Sequence, residues 1–444
     1  MFTLYRRPFI TFLLFVILGA AFVRPHQVQA VALQTKSVPA SELSGIPAAD
    51  WIQLVYKRVF AENTSAPGGA RLYAYAGITL HEAVVPGIEG GKSLSGQVTD
   101  LPPMPAIEDG VAYDWIASMA GAMSVVVPGI FPGSADTQQA VQLLREQQIN
   151  TRKRDVDPEI VDRSVAYGES VGKVIMDWEA KDNAKEAHEK GLAYVIPAGQ
   201  LDAYVLTTAN TKPVEPFWGT VRPFGLPNSG VCDATQDMEF SEDAKSTFYA
   251  QALEVKNVGD KLTKEQKDIA TFWVDTPGIT GTPGGHWMAI TAQLVGDMKL
   301  DLGKAVDAFA MVGIGVGDAF ISGWNIKYLV LLMRPETYIH KYIDDKWQPF
   351  IQTPPFPEFI SGHSIVSESA ARILTNLFGT VAFTDNTERF RNLTSRKFTS
   401  FENAASEAGI SRLYGGIHYR TGIEKGFDQG RCVAASILDR INVR

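Results

Sequence analysis

Three short stretches carry residue types that can handle an anion and a proton. In KYLVLLMRP, Lys327 and Arg334 stand seven positions apart among apolar neighbours. Cations in apolar surroundings are costly unless they face an anion or a carboxylate. On one helix that spacing is about two turns, which puts both charges on nearly one face, with Pro335 ending the helix. Two charges snorkelling from the end of a core helix give the same pattern. In FPEFISGHS, Pro354, Pro355 and Pro357 stiffen the approach to Ser361-Gly362-His363. Ser361 suits a helix N-cap, Gly362 permits close backbone approach, and the free amides of the following helix favour an anion. His363 can give or take a proton near neutral pH. A capped helix with an incidental histidine is the plainer account. In SRLYGGIHYR, the Gly415-Gly416 break lets Arg412 and His418 turn toward one point. His418 has the chemistry of a nucleophile or a metal ligand, and equally that of a satisfied histidine at a helix join.

The elements that must position these residues read as helices. DWIQLVYKRVFAEN and ARLYAYAGITLHEAVV have apolar residues at helical spacing, the second so apolar that it belongs inside a core. Further helices follow from residue 111 to 182, and again after residue 241. TPGITGTPGGHW reads as a glycine-rich loop, and residues 190–235 as a long irregular excursion. The apolar run starting at Leu302 reads as two abutting helices, and RPETYIHKYIDDKWQPFIQTPPFPEF as a loop. No strand run stands out. The class is all-α, a large helical-bundle fold with long irregular loops.

Composition sets the outer limits. The chain has 444 residues, 45% hydrophobic and 20% charged, with net charge -8. That balance is globular and acidic, with no basic stripe, so nucleic acid is not an expected partner. At the N-terminus, Arg6 and Arg7 precede an apolar stretch from Phe9 to Val23, and small residues follow at Val28-Gln29-Ala30 and Ala30-Val31-Ala32. Residues 1–32 are therefore expected to be a cleaved export signal, leaving no membrane span and a periplasmic or secreted protein. Residues 33–300 read as an N-terminal helical region and 301–444 as the motif region, packed together as one large domain. Cys232 and Cys432 are the two cysteines, an even pair that is a disulfide candidate in an exported chain. Two buried thiols are the alternative.

Taken together and in order, K-x6-R-P, S-G-H and S-R-x5-H resemble the three motifs of the vanadium haloperoxidase and type 2 phosphatidic acid phosphatase (PAP2) superfamily. Lys327, Arg334-Pro335, Ser361-Gly362-His363, Ser411-Arg412 and His418 match them position by position, within about residues 318–426. The upstream helices are similar, more loosely, to the exported bacterial haloperoxidase-like branch. The resemblance implies that Lys327, Arg334, Arg412, Ser361 and the Gly362 amide hold equatorial oxygens of vanadate or phosphate. It implies that His418 is the axial ligand of vanadium, or the nucleophile toward phosphorus, and that His363 is the acid–base group. A five-coordinate oxyanion carries charge on three equatorial oxygens, which fixed cations and amides suit. Two positions depart from the pattern. Gly422 stands where the third motif has an aspartate four residues past its histidine, with Glu424 nearby, and Ile360 stands where a proline is usual.

The chain is longer than a minimal phosphatase of the superfamily and lacks its several membrane spans. Trp324 and Phe356 stand where haloperoxidase relatives place aromatic residues beside the anion. These features favour a haloperoxidase with vanadate as cofactor and hydrogen peroxide and halide as substrates. His363 would take a proton and Lys327 would polarise the peroxide. An exported acid phosphatase acting on a small phosphoester through phospho-His418 is the alternative. A non-catalytic oxyanion-binding protein is the second. Asp318, nine positions before Lys327, is a candidate partner for a site arginine.

Overall fold

The apolar run after Asp301 forms one helix, Leu302–Val330, not two. Its start is fixed by Asp301, whose side chain accepts from the Lys304 amide at 2.9 Å. It is long and apolar enough to cross a membrane, yet its apolar stretch is wholly buried among other helices. Its main neighbour is the Ala66–Val84 helix. The two backbones touch closely because glycines face each other's carbonyls. A Cβ on Gly77 would lie 2.2 Å from the Phe309 carbonyl oxygen, and one on Gly313 would lie 2.8 Å from that of Tyr73. Only glycine fits such an approach.

The computed structural model describes residues 33–444, and Leu33–Arg444 forms one compact unit. The predicted export signal at residues 1–32 lies outside the described residues. Among the described residues there are fourteen α-helices. One short ribbon, Phe383–Asp385 paired antiparallel with Arg396–Phe398, was not signalled by the sequence. Three-residue strands are too short to show an alternating pattern. The Trp115–Ile130 and Pro158–Glu179 helices pack as a second layer on Ala66–Val84. The motif helices Gly362–Phe378, Phe401–Tyr414 and Arg420–Arg440 pack on one another, the first and last also against Leu302–Val330.

Two loop assignments are corrected. A helix, Pro335–Tyr342, occupies the stretch read as loop, with Pro335 in its first turn where no amide donor is needed. The Thr282–Asp297 helix begins inside the glycine-rich stretch and uses Pro283 in the same way. The 190–235 excursion holds one short turn of 3-10 helix after Gly191, Trp218–Thr220. It is tied down by long-range bonds. The Asp318 carboxylate accepts from the amides of Phe224, Gly225 and Leu226 at 2.7 to 2.8 Å. Asp318 therefore anchors this excursion and pairs with no site arginine, which corrects the sequence expectation. Cys232 and Cys432 form a disulfide that joins the excursion to the last helix across 200 residues of sequence.

Candidate active site

Lys327 lies in the last turn of Leu302–Val330, which stops at Leu331 in the left-handed conformation, φ 56°. The chain then runs extended to Arg334, the N-cap of the next helix. Lys327 and Arg334 are thus not on one helical face, as their spacing suggested. The helix ends before Arg334, and the two converge because the 356–360 segment folds between them. The Lys327 ammonium donates to the carbonyls of Pro357, Glu358 and Ile360. All three of its donors are thereby engaged. Arg334 Nε donates to the Phe356 carbonyl at 2.9 Å, and its Nη1 to the Ile417 carbonyl at 2.8 Å. The second and third motifs are stitched to the first by these two cations.

Ser361 caps the Gly362–Phe378 helix by accepting from the Ser364 amide at 3.3 Å, as its position predicted. The Gly362 and His363 amides precede the first intrahelical bond, and both residues line the cavity described below. The third motif also folds as expected. The Phe401–Tyr414 helix ends at Gly415, and Gly416 has φ 79°, a turn that reverses the chain toward His418. His418 Nε2 accepts from Arg334 Nη1 at 3.1 Å, while its Nδ1 meets Glu358 Oε1 at 2.8 Å. Arg412 donates to the Trp273 carbonyl and to Ser411 Oγ.

A second buried network was not found from sequence. His286 Nδ1 lies 3.0 Å from Asp275 Oδ2, and its Nε2 lies 2.9 Å from Asp385 Oδ2. Asp275 Oδ2 is also 3.7 Å from His363 Nε2, a charge contact too long for a hydrogen bond. Asp275, His286 and Glu388 come close enough to resemble a metal site. Both nitrogens of His286 are already held by carboxylates, so the cluster is an ion network. The only hint in the sequence was the histidine in TPGGHW, a residue type that needs partners when buried in an apolar helix.

Burial and neighbouring charge decide the protonation states. Burial, with Arg334 beside it, pushes Lys327 well below its usual range, but its three carbonyl acceptors require three N–H donors and so hold it as the ammonium. Burial also lowers Arg334 and Arg412 to about 10. His418 is pushed well below the usual histidine value by burial and by Arg334, Lys327 and Arg412, so it is neutral. Burial lowers His363 to about 4, with Arg412 adding and Asp275 opposing. Glu358 is raised to about 7 by burial, against the pull of Arg334 and Lys327. His286 is raised well above its usual value by its two carboxylates, which outweigh burial.

These residues border a cavity of about 670 Å³ lined by Trp324, Phe356, Gly362, His363, Arg412 and His418, among others. Trp324 and Phe356 are where the sequence placed them, with ring centroids 5.0 Å apart. Lys327 lies behind the Phe356 ring at 5.1 Å, and Arg334, 4.8 Å from the same ring, extends to the cavity-lining His418. The arrangement fits a small oxyanion. Arg334 Nη2 and His363 Nε2 are buried without a partner, and three cations converge where the nearest carboxylates already serve histidines. An anion would supply the missing charge and acceptors. Glu424 is exposed and does not take the place of the motif aspartate.

Residues 307–443 match the family model of the VCPO second helical-bundle domain. The structure is similar to that described as the first bacterial vanadium-dependent iodoperoxidase, at 31% identity and TM-score 0.83, covering 92% of this chain and 98% of that one. It also shares its fold with holo and apo bacterial vanadium-dependent chloroperoxidase. Their TM-scores are 0.60, identities 12% and 13%, and coverages 91% and 93% of this chain and 95% and 96% of theirs. No curated protein matches the sequence.

Proposed function

The chain belongs to the vanadium-dependent haloperoxidase family, and from that premise we propose that it oxidises halide with hydrogen peroxide at a vanadate seated among Arg334, Arg412, Ser361, the Gly362 amide and His418. When bound, vanadate supplies a Lewis acid that activates peroxide without changing oxidation state. The convergence of three buried cations on a neutral His418 carries this reading. Arg334 offers a free Nη2, and Arg412 presents its charge to the cavity. Lys327 contributes field from behind the wall, since its donors hold backbone carbonyls.

His363 is neutral above pH of about 4 and 13% exposed, so it can take a proton from peroxide at the cavity wall. Asp275 beside it steadies the imidazolium that forms. Trp324 and Phe356 keep that wall apolar, which strengthens the charge contacts behind it. A periplasmic or secreted location belongs to the same proposal. The Cys232–Cys432 disulfide supports it, because such bonds persist in oxidising compartments.

The test is a paired assay on the apo protein. Iodide and bromide oxidation by peroxide is measured with and without orthovanadate, beside aryl-phosphate hydrolysis. Halide oxidation that requires orthovanadate is the expected result. Hydrolysis inhibited by orthovanadate, with no halide oxidation, overturns the proposal in favour of a phosphatase using His418 as nucleophile. Neither activity, with His363→Ala and His418→Ala indistinguishable from the parent, leaves only oxyanion binding.

A further inference from the structure

The Glu358 carboxylate is placed to control His418 from a segment outside the third motif. Glu358 Oε1 meets His418 Nδ1 at 2.8 Å and accepts from the Tyr419 amide at 3.0 Å. The backbone that carries it is pinned at both ends of its own peptide. The Glu358 amide donates to the Leu332 carbonyl at 2.9 Å, and the Glu358 carbonyl accepts from Lys327 at 3.0 Å. The next turn is fixed as well, because the Ser361 amide donates to the Gly422 carbonyl at 2.9 Å. A carboxylate held this way keeps one orientation.

The opposite face of His418 gives the same answer independently. Arg334 Nη1 lies 3.1 Å from His418 Nε2. A guanidinium only donates, so this contact favours a lone pair on Nε2 and, in a neutral imidazole, the ring proton on Nδ1. That proton points at Glu358. Gly422 completes the argument. A Cβ at this position would lie 2.3 Å from Glu358 Oε1 and 2.9 Å from Oε2. Any side chain at 422, an aspartate included, would claim the space the Glu358 carboxylate fills. The glycine is therefore the reason that Glu358 fits.

We propose that Glu358 is the positioning residue of His418: from the second motif it holds the ring in its Nδ1–H form, so that the Nε2 lone pair, which meets Arg334 here, is the one available to the oxyanion, and it stands in the space where the motif this sequence resembles has its aspartate. The proposal rests on the vanadate reading only for the identity of the anion. Its two measurements need no turnover. Orthovanadate affinity of the apo protein is read by titration calorimetry. The His418 tautomer is read by long-range 1H–15N spectra of histidine-labelled protein without vanadate, with His418 assigned by its disappearance in His418→Ala.

Glu358→Ala is expected to weaken orthovanadate binding at least tenfold and to mix the two His418 tautomers. Adding Gly422→Asp to that variant is expected to recover most of the affinity and the single Nδ1–H form. Glu358→Gln keeps an acceptor at Oε1, so the tautomer should persist while affinity falls three- to tenfold. That variant also serves if the alanine form does not fold. Parental affinity with an unchanged tautomer in either single variant overturns the proposal. So does a folded double variant that recovers neither. A parent that binds orthovanadate but oxidises no halide would sink the haloperoxidase reading and leave these measurements intact.

Discussion

The Asp275 carboxylate stands 3.7 Å from His363 Nε2, and His286 holds it from behind at 3.0 Å. His286 is in turn held by Asp385 at 2.9 Å. A charged, fully buried histidine between two carboxylates makes Asp275 a fixed negative neighbour of the cavity histidine. It holds the Asp275 carboxyl well below the usual carboxylate range despite burial.

Asp275→Asn should therefore act on proton transfer. Without that charge, burial and Arg412 are unopposed, and His363 falls further below about 4. A weaker base takes the peroxide proton less readily. kcat should drop roughly ten- to hundredfold, with the acid limb of the pH profile moved to lower pH. Urea unfolding should also show a loss of about 3 kcal/mol, because His286 keeps only one carboxylate. A steady-state pH profile with saturating orthovanadate checks the first part. An unmoved acid limb contradicts it.

The part of the apo protein's stability that depends on His363 should rise with pH between about 4 and the ordinary histidine value of 6.5. The sign follows from His363, whose folded value lies below its unfolded one. Within that window the unfolded chain binds the proton and the folded chain does not, so acid favours unfolding. The depressed His418 acts in the same direction. Glu358, raised to about 7, and Asp318, raised to about 6, act in the opposite direction, so the His363 contribution is read as a difference between parent and variant. His363 alone contributes at most about 3 kcal/mol. In thermal melts from pH 4 to 7, the stability of the parent relative to His363→Phe should therefore rise with pH.

Arg412 should matter to anion affinity through geometry as well as charge. Its guanidinium is fixed by the Trp273 carbonyl and Ser411 Oγ. Arg412→Lys keeps the charge and loses the planar fork, so orthovanadate should bind about tenfold more weakly. Arg412→Met loses both, and roughly a hundredfold loss is expected. Calorimetric titration of the apo variants gives both numbers. Equal affinities for the lysine and methionine forms would remove the guanidinium from the site.

Breaking the disulfide should loosen the fold and spare the chemistry. It closes a loop across 200 residues, for which chain entropy alone gives up to about 5 kcal/mol. Cys232→Ser with Cys432→Ser should lose roughly 2–5 kcal/mol in guanidinium unfolding. Neither cysteine lines the cavity, so halide oxidation below the melting range should be unchanged.

The sequence by itself determined the helical class, the three cation- and histidine-bearing motifs, the Ser361 cap and the turn at Gly415-Gly416. These follow from rules that act within about one or two helical turns: apolar periodicity, capping and left-handed glycine. Tertiary structure decided what each charge faces. Lys327 and Arg334 meet because the 356–360 segment folds between them, and no helical spacing could show that. Asp318 was drawn away to three backbone amides about ninety residues earlier in the chain. Asp385 lies 99 residues from His286, and Glu358 lies 60 residues from His418. Such pairings depend on where buried helices come to rest, and a buried polar group bonds to whatever that packing brings within about 3 Å. Gly422 shows the division most plainly. In the sequence it is a missing aspartate; in the fold it is the space that Glu358 occupies.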